Sequence, residues 1–334
     1  AYATSLAQGL LAKLCGDQVR TRQNGSLQIH LIQSPEPLAF TLPNGSFILS
    51  TGLLCVLDSE EELAAIMASE AAHFLFDHQI KNIRRAEIRA KRVTFWANVF
   101  NSISQSLTYN YYATGDHRYL GTSLIADMGT IFSLVCAPVI NRFGLNYSDK
   151  QDDEADRLAR ELLAHKKYNP EALVSALQKI SDYYLRCGQE EEILRYNSLM
   201  DLNKRIEALT GKDKPKRLPG TTRYEKQTYD IVNFNAALNY SGGMYLEAIR
   251  LTEKNIANNR ADSETYLIRA QADMALYNNE EANERCLAWL NKAKQLSVNR
   301  PNLSIEKQRA LLFIRMDRTA HADEALNNYI DALT

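Results

Sequence analysis

Five consecutive residues of a predicted helix come within one position of a metal-binding motif: Ser69, Glu70, Ala71, Ala72 and His73. In the full motif, H-E-x-x-H, two histidines four residues apart leave one face of the helix and bind the same metal ion. The glutamate between them activates a metal-bound water for hydrolysis. Here Glu70 stands at the general-base position and His73 at the second ligand position, whereas Ser69 replaces the first ligand.

Two longer segments extend this pattern beyond the pentapeptide. Residues 42–78 are LPNGSFILSTGLLCVLDSEEELAAIMASEAAHFLFDH, and a second segment, YSDKQDDEAD, begins at Tyr147. Together they resemble the gluzincin metallopeptidase family of the CAAX prenyl endopeptidases and the BepA-like periplasmic proteases, in which a strand ending in TGLL precedes the motif helix. The resemblance covers roughly residues 25–210. It implies a zincin-like domain that is mostly α with a small sheet (α+β).

The resemblance also implies roles for two residues of the second segment. Asp152 aligns with the third metal ligand of the family, which is usually the longer glutamate. Asp156 aligns with an aspartate outside the ligand set that orients a ligand histidine through its other ring nitrogen. With Ser69 at the first ligand position, the candidate metal ligands are His73 and Asp152.

These departures favour loss of catalysis. A catalytic zinc site needs three protein ligands and an open position for water, and a neutral serine hydroxyl is a poor ligand. A family His-Pro pair, six residues before an Arg-Ile pair, is also replaced by Leu199 and Met200 ahead of Arg205. We therefore expect zinc binding to be weak or absent and the protein to be a pseudopeptidase. The alternative is an active zinc metalloendopeptidase with Glu70 as general base and an altered ligand set.

Ordinary structural roles remain open for the same residues. Glu70 also fits a plain helix glutamate, and His73 a half-buried histidine with satisfied hydrogen bonds. His78 is a poor substitute ligand because it lies five residues after His73, on a different face of a continuous helix. The acids after Ser148, a predicted N-cap, also fit an acidic first turn that the helix dipole favours.

Composition sets the outer bounds. The chain has 334 residues, 45% of them hydrophobic, which is enough for one large core or two moderate ones. Its formal net charge is −1 without a dense basic cluster, so nucleic acid is not an expected partner. Five scattered cysteines without paired metal spacing argue against a disulfide framework.

The second part of the chain has a different pattern. A Gly-, Pro- and Lys-containing linker over residues 211–222 separates a predicted peptidase-like domain, 1–210, from a helical domain, 223–334. Within the helical domain, Tyr245 aligns with Asn279, and Ala236 with Ala270, at an offset of 34 residues. This period is typical of tetratricopeptide repeats, which stack into a concave protein-binding surface. A generic helical-hairpin domain is the alternative.

Three functions follow from these patterns. The first is a pseudopeptidase that binds peptides or proteins through an edge strand, at Phe47, Ile48 and Leu49, and through the repeat surface. It would act as a scaffold or chaperone in the bacterial envelope. The second is the active zinc enzyme, and the third is an interaction protein in which only the tetratricopeptide-like repeats act.

The remaining expectations concern elements and location. We predict helices over 2–16, 60–98 with at most one break, 119–140, 149–165, 170–187 and 189–210, and strands over 27–33 and 46–51. Residues 100–146 are expected to cover the cleft as a lid or to form a dimer contact. The chain begins at Ala1 and has no run of 18 apolar residues. With the resemblance, this predicts a mature periplasmic or envelope-associated protein without a membrane span.

Overall fold

The structure is a computed structural model that describes residues 2–16, 27–82, 147–187, 199–211, 216–297, 302–331 and 333. Several predicted features lie outside these residues: the lid over 100–146, the helix over 119–140, the end of the helix over 60–98 and most of the first half of the helix over 189–210.

The described chain is mostly helical with one three-stranded sheet. The first part contains α1 Tyr2–Cys15, β1 Gln28–Ile32, β2 Ala39–Thr41, β3 Ser46–Ser50, α2 Thr51–Val56, α3 Glu60–Leu75, α4 Asp149–His165, α5 Ala172–Cys187 and α6 Leu199–Thr210. The second part contains α7 Thr222–Ser241, α8 Tyr245–Ala257, α9 Ser263–Leu276, α10 Glu280–Leu296, α11 Leu303–Arg315 and α12 Thr319–Asp331. This confirms the predicted mostly α class with a small sheet.

The sheet has the order β1-β3-β2, with β3 parallel to β1 and antiparallel to β2. The prediction that Phe47, Ile48 and Leu49 form an edge strand is therefore wrong. These three residues are 0%, 5% and 1% exposed, because β3 is the central strand with a partner on each side. The edge strand that contacts α3 is β2, whose three residues are too few to show a strand pattern in the sequence.

The motif helix α3 has a clear local origin. Ser59 caps it by accepting a hydrogen bond from the Glu62 amide, and three glutamates fill the first turn, where the helix dipole favours them. The helix ends at Leu75. Phe76 and Asp77 form a turn in which Asp77 has a φ of 57°, and helical residues resume at His78. A break in the helix predicted over 60–98 thus lies at Phe76 and Asp77, shortly after the motif.

The main core joins α1, the sheet and helices α2 to α6. Tyr224, the third residue of α7, is fully buried in this core, and its hydroxyl donates to the Leu54 carbonyl oxygen at 3.0 Å. The helical second part is thereby anchored on α2.

Charged side chains reinforce the same junction. Asp58, which follows α2, forms ion pairs with Lys179 of α5 at 2.6 Å and with Lys254 of α8 at 2.5 Å. Lys254 also donates to the carbonyl oxygens of Cys55 and Leu57, both at 2.8 Å. The two parts therefore meet through a partly buried ionic network as well as through apolar packing.

The described residues of the second part form three consecutive helix pairs, α7–α8, α9–α10 and α11–α12, each of which packs against the next. Asn279 is the N-cap of α10 and accepts from the Ala282 amide, whereas Tyr245 is the first residue inside α8, so the 34-residue offset aligns the two helix starts to within one residue. The tetratricopeptide assignment itself stays a prediction. Of the helices in the described ranges, none combines the length and apolar character that crossing a bilayer requires.

Gly52 generates a test of this architecture. A Cβ at Gly52 would lie 2.1 Å from the Pro35 carbonyl oxygen, so Gly52→Ala must displace the loop before β2. We expect a loss of at least about 2 kcal/mol in unfolding free energy, measured by urea denaturation. Gly9→Ala is the matched control, since Gly9 lies in α1 with open space around it, and it should gain about 0.5–1 kcal/mol. Equal effects of the two substitutions would contradict the packing at Gly52.

Candidate active site

Two helices bring these predicted site residues together. Ser69, Glu70 and His73 lie on α3, while Asp152 and Asp156 lie on α4, which packs against α3. The position of α4 is set locally by a capping box. Ser148 accepts from the Gln151 amide and Gln151 bonds back to the Ser148 amide, which confirms the predicted N-cap.

Ser69 takes part in a hydrogen-bond network with Asp156 and Arg205. Its hydroxyl donates to Asp156 Oδ1 at 3.0 Å and accepts from Arg205 Nη2 at 3.2 Å. Arg205, on α6, also donates hydrogen bonds to both carboxylate oxygens of Asp156, at 2.6 and 3.0 Å. Asp156 is 2% exposed, so this bidentate pair satisfies a buried carboxylate. Thus Asp156 holds a serine and an arginine here, and no hydrogen bond to a ligand histidine is seen among the described residues.

His73 keeps the geometry of a candidate metal ligand. Its Nε2 lies 3.5 Å from Asp152 Oδ1, and both side chains line the same cleft. Burial lowers the pKa of His73 well below its ordinary value, and the positive charge of Arg205 and the nearby His78 lower it further. The imidazole is therefore neutral at pH 7, the form that can bind a metal.

His78 lies next to His73, contrary to the sequence argument that put it on another face. The turn at Phe76 and Asp77 ends α3, so the chain folds back and places His78 Nδ1 at 3.1 Å from His73 Nδ1. On its other side, His78 Nε2 is 3.4 Å from Glu154 Oε2. The predicted separation of His78 from His73 assumed that the motif helix continues without a break through residue 78. Since His78 approaches His73 through Nδ1, it supports the His73 ring rather than adding a ligand beside Nε2.

Glu70 is engaged by the sheet. Its Oε2 accepts a hydrogen bond from the Thr41 amide of β2 at 3.1 Å. Burial raises the pKa of Glu70 to about 8; the negative charges of Asp152 and Asp156 add to this, while Arg205 and the Thr41 amide oppose it. In this arrangement the buried carboxyl of Glu70 therefore favours its protonated form.

Two residues in the cleft were not identified from the sequence. Tyr147 stacks on His73 with ring centroids 3.7 Å apart and an interplanar angle of 19°. In the sequence, Arg205 served only to locate the replaced His-Pro pair at Leu199 and Met200. Burial lowers the pKa of Arg205, but Asp156, Asp152 and Glu70 together raise it above its ordinary value, so it stays charged. The sequence signal for Tyr147 was its position at the start of the segment YSDKQDDEAD. The sequence carried no such signal for Arg205.

The cleft itself joins these polar groups to an apolar wall. The wall runs along the start of β2 and across α2, α3, α5 and α6, and is formed by Pro37, Leu38, Ala39, Leu53, Ile66, Leu177, Ile180, Tyr184 and Leu202. A cleft with an apolar wall and a few polar groups suits an apolar group that the polar groups orient.

The donor set does not fit a catalytic zinc ion. Within the described ranges, no three His, Cys, Asp or Glu side chains are grouped so that they could hold a metal ion. His73 and Asp152 offer two donors, the Ser69 hydroxyl is engaged with Asp156, and the Arg205 guanidinium brings a fixed positive charge beside them. A zinc site needs three protein ligands in a tetrahedral arrangement.

Comparisons with known proteins agree with the resemblance of the two motif segments. The model of peptidase family M48 matches residues 9–218. The chain is 26% identical over 200 residues to the beta-barrel assembly-enhancing protease of Yersinia pestis, covering 60% of this chain and 36% of that protein. Its counterpart in Escherichia coli K12 is 24% identical over 164 residues, covering 49% of this chain and 30% of that protein.

A shorter match links the chain to a mitochondrial metalloendopeptidase of Schizosaccharomyces pombe. The two are 38% identical over 56 residues, which is 17% of each chain. The chain thus spans only about a third of the length of the two bacterial relatives that it matches.

The pairing of Arg205 with Asp156 predicts a large effect of its removal. Arg205→Met leaves Asp156 buried without its counter-ion, and we expect a loss of about 3 kcal/mol in unfolding free energy by urea denaturation. Adding Asp156→Asn should recover much of this loss. Lys204→Met is the control, because Lys204 is 54% exposed in its pair with Asp149 and should change stability by less than about 0.5 kcal/mol. An Arg205→Met protein as stable as the Lys204→Met protein would contradict the network.

Proposed function

The chain belongs to peptidase family M48, and from this premise we propose that it is a pseudopeptidase. In this proposal the family fold is retained as a platform that binds extended polypeptide segments in the cleft, without zinc-dependent hydrolysis. The observation that carries the proposal is the network of Ser69, Asp156 and Arg205 at the first ligand position.

The chemistry of that network argues against a bound zinc ion. The Ser69 hydroxyl already donates to Asp156 and accepts from Arg205, so its hydrogen-bonding capacity is largely used. Arg205 also gives the buried acids a permanent positive partner, which neutralises part of the charge that would otherwise attract a dication. A zinc ion at His73 and Asp152 would lack the third protein ligand of a catalytic site and would be repelled by the guanidinium.

The surroundings of the network support binding of a polypeptide. The apolar wall beside β2 suits side chains of an unfolded or extended segment, and edge strands bind such segments through main-chain hydrogen bonds. The three helix pairs, which are docked on α2, add a second surface for a protein partner if they are tetratricopeptide repeats.

The names of the bacterial relatives suggest the setting. Two of them are called beta-barrel assembly-enhancing proteases. We propose that this chain acts as a scaffold or chaperone on polypeptides in the bacterial envelope, in the periplasm. The chain spans about a third of the length of those relatives, so the envelope location is proposed here together with the binding function.

Metal content tests the central part of the proposal. Zinc would be measured by mass spectrometry in protein purified without chelator, for the wild type and for Ser69→His. We expect less than about 0.1 zinc per wild-type chain and a clear gain in Ser69→His, because the histidine restores a third ligand next to Asp156.

The other outcomes are also decisive. Near-stoichiometric zinc in the wild type would overturn the pseudopeptidase and favour an active zinc metalloendopeptidase with an altered ligand set. Zinc in neither protein would mean that Asp152 and the charge of Arg205 also prevent binding, which is consistent with a binding function.

Cleavage of β-casein provides a second test. We expect the wild type and Glu70→Gln to show the same background hydrolysis, since Glu70 is held by Thr41 and is not a base in this proposal. In an active zinc enzyme, loss of the general base would instead lower the rate by about 10²–10⁴-fold. Cleavage by the wild type that disappears in Glu70→Gln would therefore refute the pseudopeptidase.

A further inference from the structure

The edge strand β2 presents its hydrogen-bonding groups in a definite register. Leu42 donates to the Ser46 carbonyl oxygen and Ser50 donates to that of Leu38, so the even-numbered residues of β2 face the central strand β3. In an antiparallel pair the alternate residues point their amide and carbonyl groups away from the partner. The outward groups of β2 therefore belong to Ala39 and Thr41.

Both outward groups of Thr41 are occupied by side chains of the same chain. The Thr41 amide donates to Glu70 Oε2 at 3.1 Å, and the Thr41 carbonyl oxygen accepts from Gln79 Nε2 at 3.1 Å. The Thr41 hydroxyl further donates to the Glu70 carbonyl oxygen at 3.4 Å. Thr41 is 0% and Gln79 1% exposed, so these bonds are shielded from water.

We propose that Glu70 and Gln79 form a latch that closes the edge of β2 at Thr41, so that a polypeptide strand adding to this edge must first displace them. The inference rests on the proposed function, which makes this cleft a binding site for extended polypeptide. It assigns Glu70, at the general-base position of the family motif, to the edge strand instead of to catalysis.

The register explains why such a latch controls binding. An added strand bonds to alternate residues of the edge, and within β2 these are Ala39 and Thr41. With Thr41 capped, Ala39 is the residue of β2 whose outward amide and carbonyl have no hydrogen-bond partner among the described residues. A polypeptide bound to the closed edge thus depends on the apolar wall, whereas the open edge adds two main-chain hydrogen bonds.

The turn after α3 builds the latch. Glu70 lies inside α3, whereas Gln79 follows the turn at Asp77, whose φ is 57°. A straight continuation of α3 would carry Gln79 one helical turn or more away from Thr41. The break therefore brings the second cap to the carbonyl side of the same residue whose amide Glu70 holds.

The test measures binding of fluorescein-labelled β-casein by anisotropy. Gln79→Ala frees the outward carbonyl of Thr41, and the double variant Glu70→Ala, Gln79→Ala frees its amide as well. We expect casein binding about three- to tenfold tighter than in the wild type, with the larger gain in the double variant. Glu70→Gln keeps an acceptor for the Thr41 amide and should bind like the wild type. Gln178→Ala is the matched control, because Gln178 bonds Asp182 within α5 and lies outside the latch, so its affinity should not change.

A second readout reports on the latch without casein. Hydrogen exchange of the Thr41 amide should be slow in the wild type and Glu70→Gln and at least about tenfold faster in Glu70→Ala. Fast exchange at Thr41 in the wild type, or casein affinity that is equal in all variants that remain folded by thermal denaturation, would overturn the latch.

The outcomes separate the latch from the proposed function. Casein binding that is equal in wild type and latch variants leaves the binding function intact and removes the latch. Binding that occurs only in the latch variants supports the latch and overturns binding as a function of the closed wild-type protein. No casein binding in any variant overturns both.

Discussion

A buried carboxylate that must have a cation organises the candidate site. Asp156 is 2% exposed, and Arg205 satisfies both of its oxygens while also contacting Ser69. These hydrogen bonds join α3, α4 and α6, so the cleft between these helices depends on them. Breaking such a pair costs more than the pair itself contributes, because the remaining charge is left without solvent or partner. The chemical character of the cleft follows, since a guanidinium stands beside the position where a metal ligand would be required.

The same physical rule operates at the junction of the two parts. Glu62 is fully buried at the first turn of α3 and is held by Lys179 at 2.7 Å and by the Ser175 hydroxyl at 2.5 Å. Lys179 also pairs with Asp58, which in turn binds Lys254 of the helical second part. The acidic N-terminus of the motif helix thus contributes to helix capping and to the docking of α8. A substitution at this junction would therefore also affect the first turn of α3, the helix that carries the site residues.

The turn at the end of α3 has consequences on both sides of the cleft. It brings His78 against His73 and Gln79 against Thr41. A motif helix that continued without interruption would leave His73 without this partner and the edge strand open. Residues that follow the motif by five and six positions therefore contribute to the site, because the turn at Phe76 and Asp77 redirects the chain between them.

Local features of this protein were determined by its sequence alone. The Ser59 and Ser148 caps, the acidic first turns and the helical periodicity are encoded within a few residues of each other, so the positions of α3 and α4 could be predicted. The two motif segments likewise identified the family. Tertiary structure alone decided which strand forms the edge, that His78 returns to His73, and that Arg205 binds Ser69 across 136 positions of sequence. These contacts depend on how separate elements pack, and no local pattern of residues records the partner that a distant side chain will meet.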